Sequence, residues 1–341
     1  MRGLAVRADK ERGGIAVIVA LLMVVLLGFA AIAIDVGKLY SEQAQLQNGA
    51  DSAALMVAQK CAKNAGDATN CSSSSPLAAD LANANALDAK SGVESITLDT
   101  IGRTVKVITR ANETGSAPNI ISLFFARALG ITSAEVAASS SVRWGSPTEG
   151  TTPFPLTFSI CQVSGMVGGA MQLLQNHSAN ANTDCPLGPA GKTVEGGFGW
   201  IVQSSGQCGG IVNLAVNQSG SATGNDGPSN CDAVLNKWAS DLAAGNTVTV
   251  LLPVYQDVSG TGSGASYKLL AFAAFSVQGW AFSGADKLPM VYRNTSSDKN
   301  LDCKGNCRGI IGKFVNYVSL SDGYKLGPVS PYGATVVELT S

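Results

Sequence analysis

"KERGGIAVIVALLMVVLLGFAAIAIDVG", residues 10–37, sets charged residues against two glycines and then runs apolar to Asp35. From Gly13 to Ile34 there are 22 residues without a charge. As a helix rising about 1.5 Å per residue they reach about 33 Å, enough for a hydrocarbon core of about 30 Å. Arg2, Arg7, Lys10 and Arg12 precede the run, partly offset by Asp9 and Glu11. That bias predicts a cytoplasmic N-terminus and an extracytoplasmic remainder. A cleaved secretory signal is the competing reading, with Ala31 to Ala33 as its small-residue cleavage site. The run exceeds the ~7–15 apolar residues usual for such signals, which favours retention. The expectation is a cytoplasmic tail at 1–12, a transmembrane helix at 13–34 and a single-pass protein of the cell membrane.

Beyond Asp35, "DVGKLYSEQAQLQNGADSAALMVAQKCA" continues without a strong stop. Val36, Leu39, Tyr40, Ala44, Leu46, Ala50, Ala53, Ala54 and Val57 recur mostly every three or four residues, an apolar stripe made largely of alanine. Two readings stay open: an amphipathic helix lying on a folded domain, or a stalk whose small side chains admit another helix.

Charged residues make up 14% of the chain, 23 basic against 24 acidic, for a net charge of -1. No basic field exists to hold phosphate backbones, so nucleic acid is not an expected partner. The chain has one histidine, His177, in the polar stretch "LLQNHSANANT". Its eight cysteines, behind an apolar N-terminal segment, point to an oxidising compartment.

The stretches "RGGIAVIVALLM", "GFAAIAIDVGKLY" and "AQLQNGADSAALMVA" resemble the N-terminal module of the TadG-like proteins of Flp (tight adherence) pilus assembly, most specifically over residues 11 to 60. "FARALGITSAEVAASSSVRWG" and the glycine-rich, cysteine-paired second half resemble longer members of that group. The resemblance implies an envelope protein of a pilus-assembly locus rather than an enzyme. Type IV prepilins carry a glutamate at the fifth position after the leader glycine. Here the corresponding residues are Ile18 or Val19, and Glu11 precedes the glycines. An uncleaved anchor fits better than a processed pilin.

"VESITLDTIGRTVKVITRA", residues 93–111, alternates on both sides of Ile101-Gly102-Arg103 and predicts two strands joined by a tight turn. "NIISLFFARALG" has helical spacing up to Gly130, and "AEVAASSSVRW" returns to alternation. Residues 35–145 therefore read as a stalk helix and a small α+β module. "GSPTEGTTP", from Gly145, is rich in turn formers and is the candidate boundary. From Pro153, short apolar runs separated by Gly, Asn, Ser and Asp predict a β-rich extracytoplasmic domain over 153–341, a sandwich or open barrel. Pro253 within its run predicts an edge strand or a bulge. The fold class is thus α+β: a transmembrane helix, its stalk continuation, a small α+β module and a disulfide-stapled β-rich domain.

Eight cysteines allow 105 pairings. Neighbour pairing is expected: Cys61 with Cys71, Cys161 with Cys185, Cys208 with Cys231, Cys303 with Cys307. Zinc is disfavoured because no CxxC pair occurs and His177 is remote from other ligand types.

"CPLGPAGKT" misses the phosphate-loop spacing, since Pro186 stands where glycine is needed. Asp257, Ser259 and Thr261 follow an apolar strand in the manner of a metal-dependent adhesion site, but glycines and another strand follow instead of a helix. Asp298, Asn300 and Asp302 alternate as calcium-loop oxygens do, without the glycine and glutamate of an EF-hand; they are the candidate metal ligands. Trp144, Trp200, Trp238 and Trp280 suit either a glycan-binding face or a core. No nucleophile motif accompanies His177.

No catalytic residue and no cofactor is expected. The function expected is a membrane-anchored component of Flp/Tad pilus assembly or anchoring, acting through protein contacts. Its partners would be other pilus-assembly or pilin-like membrane proteins, the lipid bilayer and the cell wall. The alternative is a surface adhesin with a metal-dependent ligand site, or a membrane-tethered surface hydrolase.

Overall fold

The structure, a computed structural model, describes residues 12–340 apart from 178, 180–181, 222–226, 283–300, 302, 304–306 and 319–323. The chain forms two compact units, residues 1–142 with the last residues from Leu339, and residues 143–338.

The first unit begins with α1, Arg12–Lys63, one unbroken 52-residue helix. Lys60 and Lys63 occupy its last turn, where positive charge complements the helix dipole. Then come α2 (Pro76–Ala84), β1 (Ser91–Asp99), β2 (Thr104–Ala111), β3 (Ile120–Ser122), a 3-10 turn (Ala126–Leu129), β4 (Ser133–Glu135) and the start of β5 (Ala137–Thr152). β1 and β2 form the antiparallel hairpin that the alternation predicts, from Ser91 against Ala111 to Asp99 against Thr104. Its turn is held by Asp99, whose Oδ1 accepts the N–H groups of Ile101 and Gly102 at 3.0 and 2.8 Å.

The alanine stripe of α1 is not free. Leu46, Ala50, Ala53, Ala54, Val57, Ala58 and Cys61 are buried, each at most 2% exposed, and α1 packs on α2 and β2. At the closest approach, a Cβ added to Gly49 would lie 3.2 Å from Ala82 Cα. The small residues let two helices nearly touch, as expected of such stripes, but the partner helix belongs to the same chain. The inner face of β2 closes the other side, with Val105, Val107 and Thr109 fully buried. The Thr109 hydroxyl donates to the Leu46 carbonyl at 2.8 Å, so this buried polar group is satisfied by the helix. Of the two readings of residues 36–60, the helix lying on its own domain is the one found. The helix continues unbroken from the apolar run as expected, but its stripe is covered by α2, which lies in a stretch with no clear sequence signal, and by β2.

Two further expectations change. "FARALG" forms a single 3-10 turn ended by Gly130 at φ +83°, and its flanks are the strands β3 and β4. "GSPTEGTTP" lies inside β5 up to Thr152, and the units divide between Val142 and Arg143. Its turn formers are tolerated because partner strands complete the hydrogen bonding: Glu149–Thr152 pair with Gly210–Asn213 and Ser146–Glu149 with Lys325–Gly327.

The second unit continues through β6 (Leu156–Ser159), α3 (Ile160–Val163), β7 (Gln172–Gln175), β8 (Phe198–Trp200), β9 (Gly210–Asn213) and β10 (Gln218–Ser219). It ends with α4 (Asp232–Ala243), β11 (Val248–Ser259), β12 (Ser266–Ala281), β13 (Gly309–Val315), β14 (Tyr317–Val318), β15 (Lys325–Gly327) and β16 (Thr335–Leu339). One sheet runs β7-β13-β12-β11-β6-β8, antiparallel except between β11 and β6. β11 is interior, so Pro253 does not mark an edge; the ladder to β12 shifts register beside it, at Val254–Asp257, which is the bulge. Phe158, Phe275 and Phe314, all fully buried, meet at centroid distances of 4.9 to 5.2 Å in the core. Trp144, Trp200, Trp238 and Trp280 are all at most 5% exposed, so the tryptophans are core and form no glycan-binding face.

Candidate functional site

Along α1 the surroundings change at one residue. Ile34 is 58% exposed and Asp35 only 4%. Residues 15–34 include Leu22, Val24, Leu26 and Phe29, each more than half exposed, so the most apolar segment of the chain has no protein against it. It is the one helix among the described residues long and apolar enough to cross a membrane.

Directly after it, Asp35 clamps the loop following β3. Its Oδ1 accepts the N–H of Phe124 at 2.9 Å, and its Oδ2 accepts those of Phe125 and Ala126 at 2.9 and 2.6 Å. These N–H groups open the 3-10 turn and would otherwise lack partners; Asp35 caps them from another element. Burial acts to raise the Asp35 carboxyl, but the three backbone donors and the Lys38 charge outweigh it and hold the group below its ordinary value. One turn further, Lys38 Nζ donates to the Ser122 carbonyl at 3.0 Å and pairs with Glu113 Oε1 at 3.2 Å. Glu113 Oε2 in turn accepts the Ser122 N–H at 2.6 Å. For Glu113, burial again opposes ionisation, yet the Ser122 hydrogen bonds and Lys38 bring it down to about 2 from 4.5.

That depression has a testable sign. A carboxyl lowered on folding stabilises the fold above its unfolded value, and the contribution is lost as pH falls through 4.5 towards about 2. The stability difference between the native chain and Glu113→Gln should be constant at neutral pH and shrink across that window. Denaturant titrations at a series of pH values measure it; a difference independent of pH would contradict the clamp.

The four neighbour pairs are disulfides, with Cα–Cα distances of 4.7 Å for Cys61–Cys71, 5.5 Å for Cys161–Cys185, 4.7 Å for Cys208–Cys231 and 5.2 Å for Cys303–Cys307. No thiol is left over. Cys161–Cys185 ties α3 to a loop bridged between Cys185 and Val194. In the chain-entropy account, closing its 24-residue separation contributes about 3.5 kcal/mol. The double variant Cys161→Ser/Cys185→Ser should lose that much in urea unfolding of the full chain, and a loss below about 0.5 kcal/mol would contradict the role.

Asp298, Asn300 and Asp302 lie outside the described residues. Among the described residues no three His, Cys, Asp or Glu side chains gather into a metal site. Asp257, Ser259 and Thr261 sit at a strand-to-strand connection between β11 and β12, with the Asp257 carboxylate 2.7 Å from Lys192 Nζ. The helix that an adhesion site requires is replaced by β12. His177 Nδ1 lies 2.6 Å from Glu195 Oε2, and its ring meets Tyr267 edge-on at 6.3 Å. The Tyr255 hydroxyl donates to the Glu195 carbonyl at 3.0 Å, and burial pushes Tyr267 up to about 12. These contacts fasten the loop carrying Glu195 to the sheet.

The two units thus define an α+β module that carries a long apolar helix and a disulfide-stapled, β-rich unit. The family model for TadE/G-like Flp pilus-assembly domains matches residues 13–60, spanning the unburied apolar run, Asp35, Lys38 and the packed half of α1. The match supports a component related to Flp pilus assembly. No curated protein and no solved structure matches the chain. The Asp35 clamp escaped the sequence reading. The only local signal is that Asp35 is the first charge after 22 uncharged residues; nothing in the sequence joins it to residues 124–126.

Proposed function

We propose that this chain is a membrane-anchored envelope component of Flp/Tad pilus assembly or anchoring that acts through protein contacts and is not an enzyme. The observation that carries this is the coincidence of the family match with one helix, unburied over its apolar run and fixed to its own module from Asp35 onward. The basic residues before the run support a cytoplasmic N-terminus and a single pass. Four disulfides support an oxidising, extracytoplasmic site for both units. Partners are other pilus-assembly or pilin-like membrane proteins within the bilayer, and the cell wall for the β-rich unit. Because the alanine stripe is covered internally, the lateral surface left for partners is the apolar run itself and the outer face of α1.

A photo-cross-linking residue at Tyr40, which is 75% exposed on that outer face, tests the proposal in cells. Adducts with pilus-assembly or pilin-like proteins are expected. Adducts only with proteins unrelated to pili, or a reduced and cytosolic chain, would overturn it.

A further inference from the structure

The residues held by Asp35 and Lys38 belong to a hairpin with an unusual tip. β3 and β4 pair from Ile120–Glu135 to Ser122–Ser133, and the Leu123 N–H donates to the Thr132 carbonyl at 3.0 Å. Residues 124–131 form the tip. Phe124 is 78% exposed, Phe125 38%, Leu129 69% and Ile131 54%, and Arg127 is exposed among them. Phe124 and Phe125 pack edge-on to each other at 5.0 Å rather than into a core. Four large apolar side chains thus stand exposed within eight residues at one hairpin tip, a concentration of the kind that marks an interaction surface.

The clamp fixes where the tip lies along α1. Ser122 is bonded to Lys38, and Phe124–Ala126 are bonded to Asp35, three residues nearer the apolar run, a descent of about 4.5 Å along the helix axis. The hairpin therefore points its tip toward the end of α1 that carries Ile34 and the residues before it. We infer that residues 124–131 are a second membrane contact, a lipid-inserted hairpin tip at the outer headgroup layer, held at that depth by Asp35. The occupant follows from continuity: on the reading that residues 13–34 span the bilayer, Asp35 stands one residue above the hydrocarbon. The headgroup layer there is about 5–7 Å thick. Aromatic and aliphatic side chains with an arginine among them suit that layer, the arginine reaching to lipid phosphates.

The inference rests on the membrane-spanning reading, and the test separates the two. All native cysteines are in disulfides, so single cysteines can be introduced and labelled with an environment-sensitive fluorophore at three exposed sites: Phe124→Cys at the tip, Val24→Cys in the run and Ile101→Cys at the β1–β2 turn. The full chain is reconstituted in phosphatidylcholine/phosphatidylglycerol vesicles carrying spin-labelled lipids, with iodide as the aqueous quencher. The probe at 124 should be quenched by shallow spin labels at least twofold more than the probe at 101, and shielded from iodide. Adding Asp35→Ala should reverse that pattern at 124. If the 124 probe behaves like the 101 probe while the 24 probe is quenched by lipid, the inference fails and the spanning helix stands. If the 24 probe is also untouched by lipid, both fail. Shielding at 124 from iodide and lipid alike overturns the inference and assigns the tip to a protein contact. Unchanged lipid quenching at 124 with Asp35→Ala overturns the clamp's part in it.

Discussion

Removal of residues 13–34 should move the protein entirely from the membrane fraction to the soluble one, and a single arginine at Val24 should weaken retention severely. The run contributes no packing to either unit, since residues 15–34 are unburied, so its loss leaves the cores intact. A central arginine in a spanning helix costs about 2.5–3.5 kcal/mol on insertion scales, roughly a hundredfold or more in partition. Carbonate extraction of membranes, with the fold checked by disulfide content and unfolding of the soluble product, measures both effects. A truncated chain that still pellets with carbonate-washed membranes would show that the anchor lies elsewhere.

The second large effect concerns the β-rich unit. Phe158→Ala should destabilise it by about 3–5 kcal/mol, the usual range for deleting a fully buried aromatic ring. Phe158 is fully buried and contacts Phe275 and Phe314 at 5.0 and 5.2 Å. Its strand β6 carries both the parallel pairing to β11 and the antiparallel pairing to β8. Little can close over the cavity, because the neighbouring side chains are themselves pinned in strands. Urea unfolding followed by tryptophan fluorescence reads this unit, since Trp144, Trp200, Trp238 and Trp280 all lie within residues 143–338. Ile101→Ala, at a position 88% exposed, serves as the reference and should shift stability by no more than about 0.5 kcal/mol. Equal, small losses for the two variants would mean that the aromatic cluster is not the core of that unit.

Those two predictions fall on opposite sides of what patterning alone could reach. The apolar run, the β1–β2 hairpin and the β-rich character of residues 153–341 follow from local periodicity and turn residues. The neighbour disulfides also follow chain order, because each closes a local loop. α2 leaves little trace in the sequence, since "PLAADLANA" is short and its helical face is alanine, which carries little periodic contrast. Residues from Gly145 read as a boundary in sequence because glycine, proline and serine lack strand signals, and the strands that satisfy their backbone, β9 and β15, lie about 60 and 180 residues away. The 3-10 turn at Ala126–Leu129 shows the converse. A helical spacing of apolar residues was present, but no core faces it, so it remains one turn at a hairpin tip.

Local chemistry settled the presence of a membrane-length apolar helix, its unbroken continuation to Lys63, the α+β class and the loops that disulfides would close. These properties depend on the solvent preference and backbone geometry of neighbouring residues. Only the folded chain decided that the alanine stripe is covered by α2 and β2, and that Asp35, Lys38 and Glu113 fix a hairpin beside the end of the apolar run. The first requires groups tens of residues apart to meet and the clamp groups 75 to 91 apart, and a carboxylate chooses its N–H donors by proximity in space, which no local pattern encodes.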